Sequence, residues 1–205
     1  MHLRVLTTFL IGALLMVLNA CSSTVVPGDP LDQFEPVVAT TVMAAPEPGV
    51  SAVYAPEMTA RGKYMVELLG CGACHTNGAL LGEPDAARLL AGSRIGIAHS
   101  NPLQVKYPAI VFPSNLTPDD KTGVGLVSDK MLAAAIRGGV GRHGSRVLKV
   151  MPVAAYANIS DADVDAIVAY LRSLPPVEHL LPAAVPEGRE SDELYVHFGV
   201  YRSRE

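Results

Sequence analysis

The sequence predicts an all-α fold, with about three main helices joined by long loops. Three stretches carry apolar residues at helical spacing, at about 59–69, 129–137 and 161–174. Between the first two, residues 76–125 are interrupted repeatedly by proline and show little periodicity. A loop of this length needs a core to wrap around, yet the chain has no tryptophan and few aromatic residues. A core this poor in large rings would be helped by a large apolar prosthetic group.

The first helix is predicted from about Thr59, which can cap it, to Leu69. Gly62 lies inside it, where glycine costs about 1 kcal/mol relative to alanine, and this indicates a close helix crossing with Tyr170 facing it. Ser128 and Ser160 are predicted to cap the other two helices. An apolar face is supplied in the first helix by Met65, Val66, Leu68 and Leu69, and in the third by Val164, Ile167, Val168, Leu171 and Leu174 at i, i+3, i+4, i+7 spacing. In the second helix the residues predicted to face inward are Met131, Leu132, Ala135 and Ile136.

Cys71-Gly72-Ala73-Cys74-His75 carries the chemistry of the chain. C-x-x-C-H is the attachment signature of a c-type haem, in which both thiols form thioethers and the histidine becomes the proximal iron ligand. Three other interpretations use the same spacing: a zinc site, a thioredoxin-like redox pair and a structural disulfide. A zinc site would need a second Cys or His pair, and a redox pair would need a βαβ context, neither of which the sequence offers.

The two ends of the chain are predicted to lie outside the haem domain. Residues 1–20 are typical of a secretory signal peptide, and the apolar run is too short for a membrane span. Leu18-Asn19-Ala20-Cys21 resembles a bacterial lipobox, so Cys21 is the predicted lipid attachment site and all three cysteines are assigned. Residues 21–57 form a Pro- and Ala-rich linker, which can be a tether, a spacer or a strap on a larger complex. Residues 58–176 form the haem domain and 177–205 a C-terminal tail.

Six short motifs lie along residues 58–176: Cys71–His75, Asn115–Asp119, Thr122–Gly125, Ile136–Gly139, Met151-Pro152 and Ala169–Pro175. Together they resemble a class I cytochrome c over this range. They also resemble the haem domains of cytochrome subunits that serve periplasmic alcohol and aldehyde dehydrogenases. Those domains often come two or three per chain, whereas this chain has one C-x-x-C-H.

The resemblance implies that Met151 is the distal ligand of the haem iron. A thioether is a soft neutral ligand that favours Fe(II), and a loop methionine before proline is held in an extended geometry. His99 is the strongest rival, with His143 and Met131 behind it. Arg94, Arg137 and Arg142 are candidates for the haem propionates, Tyr107 and Tyr156 for hydrogen bonds near the haem, and His179 and His197 are expected at the surface.

Three functions follow. The first is one-electron transfer by a monohaem cytochrome c that is lipid-anchored on the periplasmic side of a bacterial membrane and has His75 and Met151 as axial ligands. The second is the same chemistry in a haem subunit docked within a larger respiratory or dehydrogenase complex. The third is a peroxidase or gas sensor with a labile distal ligand. In the first two the chain is not itself an enzyme and its partners are redox proteins. The net charge of −4 indicates no nucleic acid partner.

Overall fold

The frame of the domain consists of helices connected by long loops, as the sequence predicts. The structure is a computed structural model that describes residues 44–102, 104–140 and 150–198. The helices are α1 (Pro56–Leu68), α2 (Cys71–His75), α3 (Asp129–Gly138), α4 (Val153–Tyr156) and α5 (Asp161–Ser173). Helices α1, α3 and α5 are the three predicted ones, and two short 3₁₀ turns lie at Ala79–Leu81 and Ala86–Arg88.

Two of the three predicted helix caps are confirmed. Ser128 Oγ accepts a hydrogen bond from Met131 N at 3.3 Å at the start of α3. Ser160 Oγ accepts one from Asp163 N at 3.1 Å at the start of α5. The prediction for Thr59 is wrong, because α1 already begins at Pro56. Proline suits the first helical position, where its missing N–H would have had no partner, and Thr59 lies buried one turn further on.

The core lies where α1 crosses α5, and the predicted close approach at Gly62 is confirmed. A Cβ atom on Gly62 would lie 1.9 Å from Ala166 O and 2.6 Å from Tyr170 Cβ. Tyr170 is fully buried, and its hydroxyl donates to Pro46 O at 2.6 Å. The helices can therefore approach this closely only because residue 62 has no side chain.

A small sheet corrects the all-α prediction. Its strands are β1 (Gly96–Ala98), β2 (Ile110–Val111) and β3 (Tyr195–His197), in the order β2-β1-β3. β1 pairs with β2 in antiparallel register and with β3 in parallel register. The three residues of β1 are buried, and buried N–H and C=O groups require partners, which the neighbouring strands supply.

The described part of the predicted linker contacts the haem domain. Ala45 N donates to Glu67 Oε1 at 3.0 Å, and Gly49 N donates to Ser173 O at 2.7 Å. Within the described ranges, no helix is both long enough and apolar enough to cross a membrane. Outside those ranges lie the predicted signal peptide, Cys21 and most of the linker, together with Arg142 and His143.

Candidate haem site

The C-x-x-C-H motif folds as one short helix, α2, immediately after α1. One turn of helix brings residues three and four apart onto the same side. Cys71, Cys74 and His75 accordingly line one cavity. The motif therefore presents both thiols and the imidazole to a common space, which is the arrangement that covalent haem attachment requires.

The cavity has a volume of about 580 Å³ and a mainly apolar lining. Cofactor sites are typically apolar cavities of roughly 300–1,000 Å³ with a few placed polar groups. None of the described lining residues is Asp, Glu, Lys or Arg. The chemistry of the lining therefore fits a large apolar ring system. The larger apolar side chains that line it include Val66, Phe112, Leu116, Leu132, Ile136 and Leu171.

His75 is held in the tautomer that an iron ligand needs. Its Nδ1 lies 2.7 Å from Ser114 O, and because a carbonyl oxygen only accepts, Nδ1 carries the proton and donates. The lone pair is then on Nε2, and the same hydrogen bond raises the basicity of the ring. Burial lowers the pKa of His75, and the bond to Ser114 partly opposes that shift. Burial therefore favours the neutral imidazole, the form that coordinates a metal.

The two cysteines have the character of buried thiols. Burial raises the pKa of Cys71 to about 11 and raises that of Cys74 as well. Redox-active and metal-binding cysteines are thiolates, and their pKa values are lowered by nearby positive charge. Both cysteines are free, and the described residues contain no cluster of His, Cys, Asp and Glu that would hold a metal ion. The described residues therefore supply no further ligands that would complete a zinc site with the two cysteines.

Met151 lines the same cavity as His75. It lies in the turn before α4, where Val153 N donates to Met151 O at 2.8 Å. The rivals rank differently in the structure than in the sequence. His99 is exposed and is not among the residues that line the cavity, whereas Met131, expected in the core, lines the cavity and is 42% exposed. Met131 is therefore the rival that the described geometry leaves.

The arginines proposed for the propionates bind other groups where they are described. Arg94 pairs with Glu193 at 3.3 Å, and Arg137 pairs with Asp161 at 2.5 Å. Neither lines the cavity. Of the two tyrosines, Tyr156 lines the cavity and donates to Leu69 O at 3.1 Å, while Tyr107 lies away from it. Burial raises the pKa of Tyr156 to about 12, so its hydroxyl stays a donor.

Arg172 is a residue whose role sequence reasoning missed. It extends from the last turn of α5, and its Nη1 donates to Val124 O at 2.7 Å. Its Nη2 donates to Val127 O, and its Nε pairs with Asp129 at 2.8 Å. Val124 and Val127 both line the cavity, so Arg172 fastens this wall to α5. The only sequence signal is an arginine in the last helical turn, where cations are favoured.

Asn115 forms an Asx-type turn and also bonds to a distant part of the chain. Asn115 Oδ1 accepts from Thr117 N at 2.9 Å, and Asn115 Nδ2 donates to Val177 O at 2.8 Å. Asn115 also lines the cavity. The loop therefore joins the cavity wall to the segment that follows α5.

The prediction that His179 lies at the surface is wrong. His179 is 7% exposed, and its Nδ1 donates to Ala91 O at 3.0 Å. The contact joins residues 88 apart in the sequence, so no local pattern predicts it. The chain after α5 thus packs directly behind the haem site.

Known proteins share this domain. Residues 59–175 match the family profile described as cytochrome c. A nicotinate dehydrogenase subunit of Pseudomonas putida is 32% identical over 136 residues, which are 66% of this chain and 10% of that protein. The fructose dehydrogenase cytochrome subunit of Gluconobacter japonicus is 31% identical over 141 residues, 68% of this chain and 26% of that subunit. The cytochrome c subunit of alcohol dehydrogenase (quinone) of Gluconobacter oxydans is 33% identical over 118 residues, 57% of this chain and 22% of that subunit.

The chain spans about a quarter or less of the length of these curated relatives. The family match nevertheless covers more than half of the chain and includes both the C-x-x-C-H helix and Met151. The chain therefore belongs to the cytochrome c family, whose members carry covalently bound haem c and transfer electrons.

Proposed function

We propose that this protein is a membrane-tethered monohaem cytochrome c that transfers single electrons with His75 and Met151 as axial ligands. One observation carries the proposal. Cys71, Cys74, His75 and Met151 line the same apolar cavity, and His75 has its Nε2 lone pair free for a metal. The single C-x-x-C-H in the chain supports one haem.

Each of the four residues has a separate task in this proposal. Cys71 and Cys74 hold the cofactor through thioethers, so that it stays bound in both oxidation states. His75 supplies a basic nitrogen and Met151 a soft sulfur, and this pair of ligands raises the reduction potential. Bound haem c supplies an iron that gains and loses one electron.

The surroundings of the ligands favour electron transfer over catalysis. The described part of the lining is mainly apolar and offers no carboxylate, lysine or arginine for proton transfer. Two protein ligands leave the metal no open position for a substrate. The peroxidase or sensor alternative would require Met151 to dissociate.

The number of haem groups per chain is tested by measuring the haem content of the purified protein as the pyridine complex. A potentiometric titration then gives the number of redox transitions. We expect one covalent haem per chain and a single one-electron transition. The binding of two haems per chain, or a transition that fits only two unequal centres, would contradict the monohaem proposal.

A haem subunit docked within a larger oxidoreductase is the second candidate function. The names of the relatives favour it, since all three describe subunits of dehydrogenases, two of them cytochrome subunits. We propose redox proteins as partners in either case. Co-purification from detergent-solubilised membranes distinguishes the two, because a docked subunit remains with its complex and a free carrier does not.

Membrane attachment is proposed on the sequence of residues 1–21, which lie outside the described part of the chain. Replacing Cys21 by serine is expected to move the protein from the membrane fraction to the soluble periplasmic fraction, because two or more acyl chains are needed for stable anchoring. The matched control is Ser23→Ala, which should stay with the membrane. If the Cys21→Ser protein remains in the membrane fraction after a high-salt wash, the membrane anchor is the C-terminal tail or a partner.

A further inference from the structure

The backbone of Leu90–Ser93 forms a bridge directly behind the proximal histidine. Gly92 N donates to His75 O at 2.8 Å. Two residues earlier in the chain, Leu90 N donates to Thr76 Oγ1 at 3.0 Å. The bridge is therefore bonded to the end of the helix that carries His75.

The opposite side of the bridge is bonded to the loop that supplies the acceptor for His75. Ser93 N donates to Pro113 O at 3.0 Å, and Leu116 N donates to Leu90 O at 2.8 Å. These two bonds flank Ser114, whose carbonyl accepts the proton of His75 Nδ1. The bridge thus fixes the positions of His75 Nδ1 and Ser114 O relative to each other.

The bridge has an unfavourable backbone conformation that its surroundings must maintain. Leu90 has a φ of 61°. Among the described residues other than glycine, no other residue has a positive φ. Such a residue costs of order 1–3 kcal/mol and persists only where neighbouring contacts fix it. Gly92 has a φ of 86°, and a Cβ atom there would lie 2.8 Å from Asn115 N. The bridge cannot hold this shape without outside support.

His179 supplies that support from beyond the region that matches the cytochrome c family, which ends at residue 175. Its Nδ1–H donates to the carbonyl of Ala91, in the middle of the bridge, at 3.0 Å. Its own backbone N donates to Thr122 Oγ1 at 2.9 Å, which fixes His179 to the cavity wall. Leu181 contacts the bridge as well, since its Cδ1 lies 2.5 Å from where a Cβ of Gly92 would be.

The other nitrogen of His179 makes this arrangement costly. Nε2 is buried and has no hydrogen-bond partner among the described residues. A buried polar atom without a partner costs about 1–3 kcal/mol. A leucine at this position would avoid that cost but would lose the bond to Ala91. The bond to the bridge is therefore the feature of His179 that an apolar residue cannot replace.

We propose that His179 is a positioning residue for the proximal ligand: by holding the Ala91 carbonyl, it keeps the bridge, and with it the bond between His75 and Ser114, in place. The inference rests on the proposed function, because it concerns the strength with which His75 coordinates the haem iron. A hydrogen bond to the far nitrogen of a ligating histidine raises its basicity. A more basic ligand stabilises the oxidised metal and lowers the reduction potential.

Two variants of the full-length holoprotein test this role. His179→Leu removes the donor, whereas in His179→Asn the side-chain amide Nδ2 can take the place of Nδ1. We expect His179→Leu to raise the potential, with a threefold to tenfold change in the one-electron equilibrium, which is roughly 30–60 mV at 59 mV per decade. We expect His179→Asn to restore the potential of the wild type. Leu180→Ala, at the neighbouring residue, which is 77% exposed, should leave the potential of the wild type unchanged.

The outcomes separate positioning from a general structural role. Lower stability of His179→Leu with an unchanged potential would overturn the inference, and so would an equal shift in His179→Asn. If His179→Leu does not fold, His179→Phe removes the same donor and retains a ring. A wild-type protein without covalent haem would overturn the proposed function and this inference together. A haem protein whose potential is insensitive to position 179 would overturn the inference alone.

Discussion

Replacement of Met151 by alanine is expected to lower the reduction potential on the order of 0.2 V, a part of the roughly 0.8 V range that axial ligands span. The thioether favours the reduced metal, so its loss favours the oxidised state. The variant should keep its covalent haem, because the thioethers to Cys71 and Cys74 are separate from this ligand. The reduced variant should also bind carbon monoxide. A potentiometric titration measures the change in potential, and an optical spectrum measures the binding of carbon monoxide.

Met131 provides the matched control for this experiment. It is the other methionine among the described residues that line the cavity, and it lies in the first turn of α3. Met131→Ala should keep a potential near that of the wild type and should not react with carbon monoxide. If instead Met131→Ala opens the metal and Met151→Ala does not, Met131 is the distal ligand and the assignment to Met151 is wrong.

Replacement of Gly62 by alanine is expected to lower the free energy of unfolding by about 3 kcal/mol, at the upper end of the usual cost of overpacking a core. The added Cβ would lie 1.9 Å from Ala166 O. This neighbour is backbone and cannot rotate away, so α1 and α5 must move apart. That movement loosens the contacts of Tyr170 in the core. Chemical denaturation of the holoprotein, followed by far-ultraviolet circular dichroism, measures the change.

Gly138 offers a control at another helical glycine. It is the last residue of α3 and is exposed, and a Cβ there would have its nearest neighbour, Val140 Cγ2, at 3.6 Å. Gly138→Ala should leave stability unchanged or raise it by up to about 1 kcal/mol, the difference in helix propensity. Equal losses for the two variants would show that the effect at position 62 is not caused by the crossing.

The helices were predictable because their signals are local. Serine caps and the spacing of apolar residues act within a few positions. Both caps are confirmed, and the predicted apolar face is buried in α5, whereas in α3 Leu132 and Ile136 are buried but Met131 is 42% exposed. The start of α1 was missed because Pro56 and Thr59 are both acceptable near a helix start. The sheet was missed for a different reason. Its strands are two or three residues long, and β3 pairs with β1 across most of the domain, so no alternating pattern develops.

The candidate site was likewise predictable only in part: its motif residues were predicted, and its supporting contacts were not. The C-x-x-C-H helix and Met151 belong to short motifs, and the structure places them around one cavity. The supporting contacts are single hydrogen bonds between distant residues. Arg172 reaches Val124 across 48 positions, and His179 reaches Ala91 across 88. Neither residue type nor spacing reveals such a bond, because the same side chains are more often solvated at the surface.

The exposure of the purified, reduced protein to carbon monoxide tests the central claim most directly, since it asks whether both axial positions are held by the protein. With His75 and Met151 bound, we predict a low-spin c-type spectrum that carbon monoxide does not change, and a weak far-red iron–methionine band in the oxidised form. A rapid spectral shift on addition of carbon monoxide, together with the absence of that band, would contradict the account and favour a haem enzyme or gas sensor.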